Sequence, residues 1–221
     1  MGPEAESMDE VLLAQLARAE ANFSVLSQHA VRAIGVLGSS GAGKSALVER
    51  MADRLTACGV SVAVIAGDPT EDEDHRRFTS HGIRSVPVST GGQPHLDAQA
   101  VNRALQALPL DEVDVLFIEN VGALLGPADY PLGVEREVVV VSVAEGEAVV
   151  RKQPRLFAQT DLLVINKVDL AASVGVAVAR IADDYTRINP HGTVVLSDAR
   201  HNRGIEDLLR ALKIECPASP W

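Results

Sequence analysis

The sequence predicts an α/β protein with a doubly wound, mostly parallel sheet and one additional helix at the N-terminus. Two observations lead to this prediction: short runs rich in valine and isoleucine alternate with helical stretches, and a glycine-rich loop follows the first run. Strands buried on both faces form nearly continuous apolar runs, and their alternation with helices gives right-handed crossovers within one sheet. Ligands bind such sheets at the carboxyl ends of the strands, so we expect the functional residues there.

The predicted elements can be placed in order along the chain. Leucine and alanine recur at helical spacing in residues 8–29, which predicts an amphipathic helix. The residues that define its apolar face are Leu12, Leu13, Leu16 and Ala17. Strands are predicted at 32–37, 61–66, 83–88, 113–118, 136–143, 161–166 and 193–197. Helices are predicted near 44–57, 71–81, 95–107, 171–188 and 204–213. We expect a helical extension over 1–30, one α/β domain over 31–215 and a C-terminal tail over 216–221.

Composition and charge exclude several classes of protein. The net charge of the 221 residues is −10 and there is no basic stripe, which argues against a nucleic-acid partner. No apolar run has membrane-spanning length, so no membrane partner is expected. The acidic N-terminus lacks the apolar core of a signal peptide, which favours a cytoplasmic protein. A disulfide between the two distant cysteines, Cys58 and Cys216, is not expected in that compartment, and Cys58 is expected to pack at a helix end.

The glycine-rich loop GSSGAGKS, residues 38–45, matches the phosphate-binding pattern G-x-x-x-x-G-K-[ST] between a predicted strand and a predicted helix. Its glycines allow the backbone N–H groups to wrap around phosphate oxygens, and the helix N-terminus adds a positive dipole end. Lys44 is expected to reach the outer phosphates and Ser45 to ligate Mg²⁺. The candidate nucleotide contacts are Gly38, Ser39, Ser40, Gly41, Ala42, Gly43, Lys44, Ser45 and Ala46.

The stretch NKVD, residues 166–169, follows a late predicted strand and indicates a guanine nucleotide, GTP or GDP. The Asp169 carboxylate can accept hydrogen bonds from N1–H and the exocyclic amine of guanine, whereas adenine would leave this buried acceptor unpaired at a cost. Asn166 and Lys167 complete the motif, with Lys167 along the base. Ser197 and Asp198 stand where a second base-contacting loop is expected. The domain over 31–215 is therefore expected to be a P-loop GTPase.

Two acidic residues end neighbouring candidate strands on the same edge as the phosphate loop. Asp68 ends the second strand and Glu119 the fourth. Carboxylates beside a phosphate site suit Mg²⁺, and either one could orient the attacking water; the alternative is that both are simply exposed strand-end acids. We take Lys44, Asp68 and Glu119 as candidate catalytic residues, and Ser45, Asp68 and Glu119 as candidate Mg²⁺ ligands.

Between about Ala33 and Leu212 the chain resembles the hydrogenase nickel-incorporation GTPases (HypB) and, more distantly, the urease accessory GTPases (UreG). The resemblance rests on GDPTEDEDHRR, STGGQPHLDA, ENVG, SVAEGE, RKQPRLF and NKVD in this order. In the first of these, Asp68, Asp74 and Arg77 have the spacing of the family. The resemblance implies a GTP-dependent homodimer that works with metalloenzyme maturation proteins, or with the nickel enzyme precursor itself.

The stretch TGGQPHLDA, residues 90–98, departs from the family pattern. The resemblance implies cysteine ligands for a transition metal, yet Pro94 and Gly126 occupy their positions and His95 alone remains. One interpretation is a weakened Ni²⁺ or Zn²⁺ site with His95 from two subunits. The other is a turn shaped by glycine and proline, with Asp97 stabilising the first turn of the next helix.

Three functions remain open at this point. The leading hypothesis is a GTP-hydrolysing accessory protein for maturation of a nickel enzyme of the hydrogenase type, with a urease-type nickel-delivery GTPase as its variant. The second is a regulatory or scaffold GTPase that carries no metal. The third is a P-loop kinase for a small molecule, which NKVD disfavours.

Overall fold

A computed structural model describes residues 8–68, 73–91, 93, 95–122 and 131–216. They form one sheet of seven strands in the order β3-β2-β4-β1-β5-β6-β7, in which every neighbouring pair is parallel. The strands are β1 (Arg32–Gly38), β2 (Val62–Asp68), β3 (Arg84–Ser89), β4 (Val115–Glu119), β5 (Arg136–Ser142), β6 (Leu162–Asn166) and β7 (Thr193–Leu196). The predicted fold class and all seven predicted strands are confirmed.

Nine α-helices lie within the described residues and cover both faces of the sheet. They are α1 (Met8–Gln28), α2 (Lys44–Thr56), α3 (Glu73–Ser80), α4 (Ala98–Gln106), α5 (Val149–Lys152), α6 (Pro154–Ala158), α7 (Ala171–Val174), α8 (Val178–Ile188) and α9 (Ile205–Ala211). One face packs against α2, α3 and α9. The other face is shared by α1 with α4 and, further along the sheet, by α5, α6 and α8. The result is a three-layer arrangement with its core on both sides of the sheet.

The N-terminal helix is present as predicted, but a different face of it packs on the domain. Leu12, Leu13 and Leu16 are exposed, whereas Ala19 and Leu26 are buried, and Leu26 belongs to the core cluster that contains α4. Asn22, which lies between Ala19 and Leu26 in the sequence, is also buried, and its side-chain amide is held by hydrogen bonds. The apolar pattern therefore located the helix correctly and its packing face wrongly.

The helices differ from the sequence prediction at two further places. The stretch predicted as one helix over 171–188 is two helices, α7 and α8, because Gly175 takes a left-handed conformation that ends the first of them. The short helices α5 and α6 were not predicted at all. Both have only four or five residues, and Pro154 begins α6, so neither carries a helical apolar period long enough to recognise.

The expectation about the cysteines was wrong. Cys58 and Cys216 form a disulfide, with their Cα atoms 5.5 Å apart. Cys58 follows α2, and Ile214, two residues before Cys216, is buried in the same core cluster as α2. The chain after α9 thus returns to the end of α2, a proximity that 158 residues of sequence separation conceal.

Among the helices of the described ranges, none combines the length and the hydropathy that a membrane-spanning segment needs.

Candidate functional site

The phosphate loop lies where the sequence predicted it, between the end of β1 and the first residue of α2. Gly38, Gly41 and Gly43 all have positive φ angles, at 152°, 77° and 99°. At Gly43 a side chain would also collide with the amide of Asn166. A residue with a Cβ would therefore be strained here twice, once by the backbone and once by the neighbouring loop. The N–H groups of the first turn of α2 receive no side-chain cap from residue 43, which leaves them available to an anion.

The loop opens onto a cleft of about 720 Å³ at the carboxyl end of the sheet. The Lys44 side chain is nearly buried, and its Nζ donates to the Ser39 carbonyl oxygen at 3.3 Å. On the opposite wall, the carbonyl of Gly122 accepts from the Ser40 N–H at 3.2 Å. The cleft is thus bounded by the phosphate loop on one side and the segment after β4 on the other.

Three oxygen-bearing side chains converge beside Lys44. The Ser45 hydroxyl lies 2.7 Å from Oε1 of Glu119 and 2.9 Å from Oδ1 of Asp74. Burial, reinforced by the charge of Asp74, raises the pKa of Glu119 to about 7. Its second carboxylate oxygen, Oε2, is buried and has no hydrogen-bond partner among the described residues. An orphaned buried carboxylate oxygen next to a serine hydroxyl and a second acid fits a divalent cation with oxygen ligands.

The two predicted acids differ in what the structure shows of them. Glu119, at the end of β4, is one of the three converging groups. Asp68 is the last residue of β2, and its side chain lies outside the described part of the chain. Asp74 lies beside Ser45, because α3 runs along the edge of the cleft.

The NKVD stretch is bonded directly to the phosphate loop. The Asn166 amide donates to the Ala42 carbonyl at 3.0 Å, and Lys167 Nζ donates to the Gly41 carbonyl at 2.6 Å. The side-chain oxygen of Asn166, Oδ1, accepts from the Ser197 hydroxyl and from the Ala199 N–H. Asn166 therefore connects the phosphate loop to the turn that follows β7.

A second cleft, of about 450 Å³, continues from the first past Gly43 and Lys167. Asp169 lines it and is exposed, so its carboxylate is available to a ligand. Ser197 and Asp198 are buried. Asp198 caps a short turn by accepting from the His201 N–H, and its other oxygen lies 2.6 Å from Nδ1 of His201. These two residues position the cleft wall, with Asp198 also lining it.

The stretch around His95 is connected to the end of β4. Oδ1 of Asn120, which follows Glu119, accepts from the N–H of Leu96 at 2.8 Å and from the N–H of Val121 at 2.9 Å. Leu96 is fully buried. A change in the position of the segment after β4 would therefore be transmitted to the residue next to His95.

His95 lines a pocket of about 380 Å³ together with Asp97 and Arg103. Burial lowers the pKa of the imidazole, an effect that the charge of Asp97 partly offsets. The Asp97 carboxylate is the N-cap of α4 and accepts from the Ala100 N–H at 2.6 Å, as the turn interpretation predicted. Gly92, Pro94 and Gly126 lie outside the described residues. Within the described ranges, the one group of three histidine, cysteine, aspartate or glutamate side chains close enough to share a metal ion is Asp169, Asp198 and His201, and His95 is not part of it.

The structure adds two site residues that sequence reasoning did not assign to the cleft. Asp74 lies beside Ser45, although the sequence had drawn attention to it only through its family spacing. Asn120 joins the cleft to the His95 stretch, and nothing in its sequence context indicates this bond. Both contacts depend on how separate segments fold together, which no local pattern encodes.

Comparison with known proteins gives one consistent answer. Residues 32–196 match the family model described as CobW/HypB/UreG, nucleotide-binding domain. The chain is 40% identical over 204 residues to the probable hydrogenase maturation factor HypB of Methanocaldococcus jannaschii, covering 92% of each chain. It superposes on the crystal structure of hydrogenase maturation factor HypB from Archaeoglobus fulgidus with a TM-score of 0.84 at 36% identity, over 91% of this chain and 98% of that one.

A second crystal structure, HypB from Helicobacter pylori in complex with nickel, gives the same TM-score of 0.84 at 25% identity, covering 94% of this chain and all of the other. The shared fold, the sequence identity and the extent of the match lead to one assignment: the chain belongs to the CobW/HypB/UreG family of nucleotide-binding domains and, within it, to the HypB group.

Proposed function

We propose that this protein binds and hydrolyses GTP as an accessory factor in the maturation of a nickel enzyme of the hydrogenase type. The observation that supports this most directly is the junction of the phosphate loop with NKVD, made by Asn166 with Ala42 and by Lys167 with Gly41. The junction supports the proposal because the two clefts adjoin at Gly43 and Lys167, so that one could take the phosphates and the other the base of a single nucleotide. The maturation role is supported by the similarity to proteins named as hydrogenase maturation factors.

We assign a role to the residues of each of the two adjoining clefts. Lys44 and the N–H groups of residues 38–46 hold and neutralise the phosphates, because phosphoryl transfer depends mainly on positioning and charge stabilisation. Asp169 accepts from the guanine edge, and Lys167 covers the base. Ser197 and Asp198 keep Asn166 and the base-site turn in place. Asp169 is exposed in the absence of a ligand, and a bound base would cover its carboxylate. In this scheme adenine is disfavoured because it would leave the covered carboxylate unpaired.

Mg²⁺ is the proposed resident cation beside the phosphates. Ser45, Glu119 and Asp74 would hold it, with Asp68 as a further candidate, and the ion would supply neutralisation of phosphate charge. The unpartnered Oε2 of Glu119 supports this assignment. Glu119 also stands close enough to the phosphate cleft to orient a water molecule, as proposed from the sequence.

The proposed binding site for the delivered transition metal depends on His95. Nickel, or zinc at the same site, would be bound by His95 from two subunits of a GTP-dependent homodimer, since one histidine supplies too few ligands. A metal-independent regulatory GTPase is the second candidate. It is favoured by the engagement of Asp97 as a helix cap and by the disulfide that occupies both cysteines.

The test is steady-state phosphate release from GTP and from ATP, each with Mg²⁺, by the wild-type protein and by Lys44→Ala. We expect a preference for GTP and loss of turnover in Lys44→Ala. Equal use of ATP would refute the guanine assignment, and transfer of phosphate to a small molecule without phosphate release would favour a kinase. Equilibrium dialysis with Ni²⁺, with and without a GTP analogue, then separates metal delivery from a metal-independent role.

A further inference from the structure

A third cleft, of about 550 Å³, lies between α1 and the segment that precedes β5. Its described lining residues are different from those of both nucleotide clefts. Most of them are apolar: Leu16, Ala19 and Phe23 from α1 face Pro131, Leu132 and Val134 across the opening. The volume is within the range of small-ligand sites, about 300–1,000 Å³.

The two walls of this cleft are fixed by specific contacts. The Asn22 amide donates to the Leu132 carbonyl at 3.0 Å and to the Ala98 carbonyl at 2.8 Å, which joins α1 to the opposite wall and to the start of α4. Gly133 has a φ angle of 84°, and a side chain there would collide with the backbone carbonyl of Ala19. These contacts hold the two walls of the cleft in a defined position relative to each other.

The floor of the cleft holds a buried carboxyl group. Glu137 on β5 is in register with Gly35 on β1, and a side chain at position 35 would collide with the Glu137 carboxyl. The absence of a Cβ at Gly35 makes room for this group. Oε2 of Glu137 is buried and has no hydrogen-bond partner among the described residues. A carboxyl group in this position is costly to bury, above all in its ionised form.

The charges around Glu137 are acidic. Glu20 on α1 is the other charged residue among the described lining residues, and none of them is basic. Asp161, just before β6, accepts from the Glu137 backbone N–H at 2.8 Å and is itself paired with Arg136 at 3.3 Å. Burial, with a smaller contribution from Asp161, raises the pKa of Glu137 to about 8. An anionic ligand is excluded by this environment, and a cation would be stabilised by it.

We propose that this cleft binds a small organic ammonium ion, whose charged group pairs with the Glu137 carboxylate and whose apolar body packs against Leu16, Phe23 and Val134. The ammonium group would pair with the carboxylate from the side of the cleft, where Glu137 is one of the lining residues. The ring of Phe23, half exposed at the rim, adds apolar area and a face that attracts cations. On binding, Glu137 releases its proton to solvent while the ammonium group keeps its own. The site is independent of the nucleotide chemistry proposed above.

The experiment is isothermal titration of the full chain at pH 7 with 2-phenylethylamine and with 2-phenylethanol, an alcohol of the same size. Each titration is repeated in two buffers of different ionisation enthalpy. We expect the amine to bind more tightly and to release close to one proton per molecule, since Glu137 is mostly protonated at this pH. The alcohol should release none.

Two variants locate the binding site. Glu137→Gln should weaken amine binding by about 10-fold to 100-fold, the range for a hydrogen bond to a charged group, and should leave alcohol binding unchanged. Phe23→Ala should weaken both ligands, and GTP binding serves as the folding control for each variant. Equal affinities for amine and alcohol, no measurable binding of the amine, or full retention by Glu137→Gln would each overturn the proposal. If Glu137→Gln fails to fold, proton release by the wild-type protein with the amine alone decides.

Discussion

At Asp169, the exchange of one carboxylate oxygen for an amide nitrogen is predicted to change the preferred nucleotide. Asp169→Asn presents one acceptor and one donor where guanine needs two acceptors, so GTP affinity should fall by about 100-fold or more. Xanthine carries a carbonyl in place of the exocyclic amine, so XTP should bind the variant better than GTP does. Competition binding with GTP, XTP and ATP measures this. An unchanged order of the three nucleotides would remove Asp169 from the base site.

Glu137 is predicted to make stability depend on pH in the direction opposite to a salt-bridged acid. Its pKa is raised from 4.5 in the unfolded chain to about 8 in the folded one, so the folded state binds more protons between these values. Stability contributed by the neutral group is complete below about pH 4.5 and is lost as the pH rises toward 8. Glu137→Gln should therefore gain stability relative to wild type with rising pH, by up to about 5 kcal/mol.

Urea unfolding of both proteins at pH 5.5, 7 and 8.5 tests this. The comparison must be the difference between the two proteins, because Glu119 also has a raised pKa and adds a slope of the same sign to each. A difference in the free energy of unfolding that stays constant over the three pH values would show that Glu137 is ionised in the folded protein.

Among individual residues, the sequence identified those whose role depends on short-range spacing. Lys44 and Ser45 follow from the phosphate-loop pattern, and Asn166 to Asp169 from the stretch after β6. It did not identify contacts between distant segments, such as Ser45 with Asp74, 29 residues apart, or Leu96 with Asn120, 24 apart. The apposition of Gly35 and Glu137 also escaped prediction, since it depends on the register of two strands that are distant in sequence.

Among the elements, the strands were the most predictable. A buried parallel strand has to be apolar on both faces, so its composition alone identifies it. The packing face of α1 was not predictable in this way, because the stripe that faces the domain includes the polar Asn22 while several leucines remain exposed. An apolar pattern reports which residues avoid water, and here hydrogen bonds from a buried amide position the helix instead.

The start of α4 offers a prediction at the same scale. Asp97→Ala removes the side chain that accepts from the Ala100 N–H, and should lower the free energy of unfolding by about 1 kcal/mol. Asp97→Asn is the matched control: it keeps a capping oxygen and should retain most of the stability. Thermal or urea unfolding of the three proteins measures both. Equal losses in the two variants would indicate that the carboxylate charge near His95 matters more than the cap.

For the whole molecule, the phosphate cleft and the His95 stretch are joined through one short path. Glu119 lies beside Ser45, Asn120 follows it, and the Asn120 side chain binds the N–H of Leu96. Binding of the terminal phosphate and its cation would change the position of Glu119 and of Asn120, which follows it. The same path would then reposition the residues on either side of Leu96, and with them the surface that we propose pairs two subunits.

We therefore predict that a non-hydrolysable GTP analogue with Mg²⁺ raises the association constant of the dimer by about tenfold or more over GDP, within the usual range of coupling between sites. Sedimentation velocity at several protein concentrations measures this for wild type and for Asn120→Ala. The variant should still bind GTP but lose most of the difference between the nucleotides. Adding Ni²⁺ to wild type and to His95→Ala separates the metal from the switch: His95→Ala should keep the nucleotide effect and lose nickel binding. Identical profiles in both nucleotides would reject the switch, and nickel binding that survives His95→Ala would place the metal at another site, with Asp169, Asp198 and His201 as the first to test.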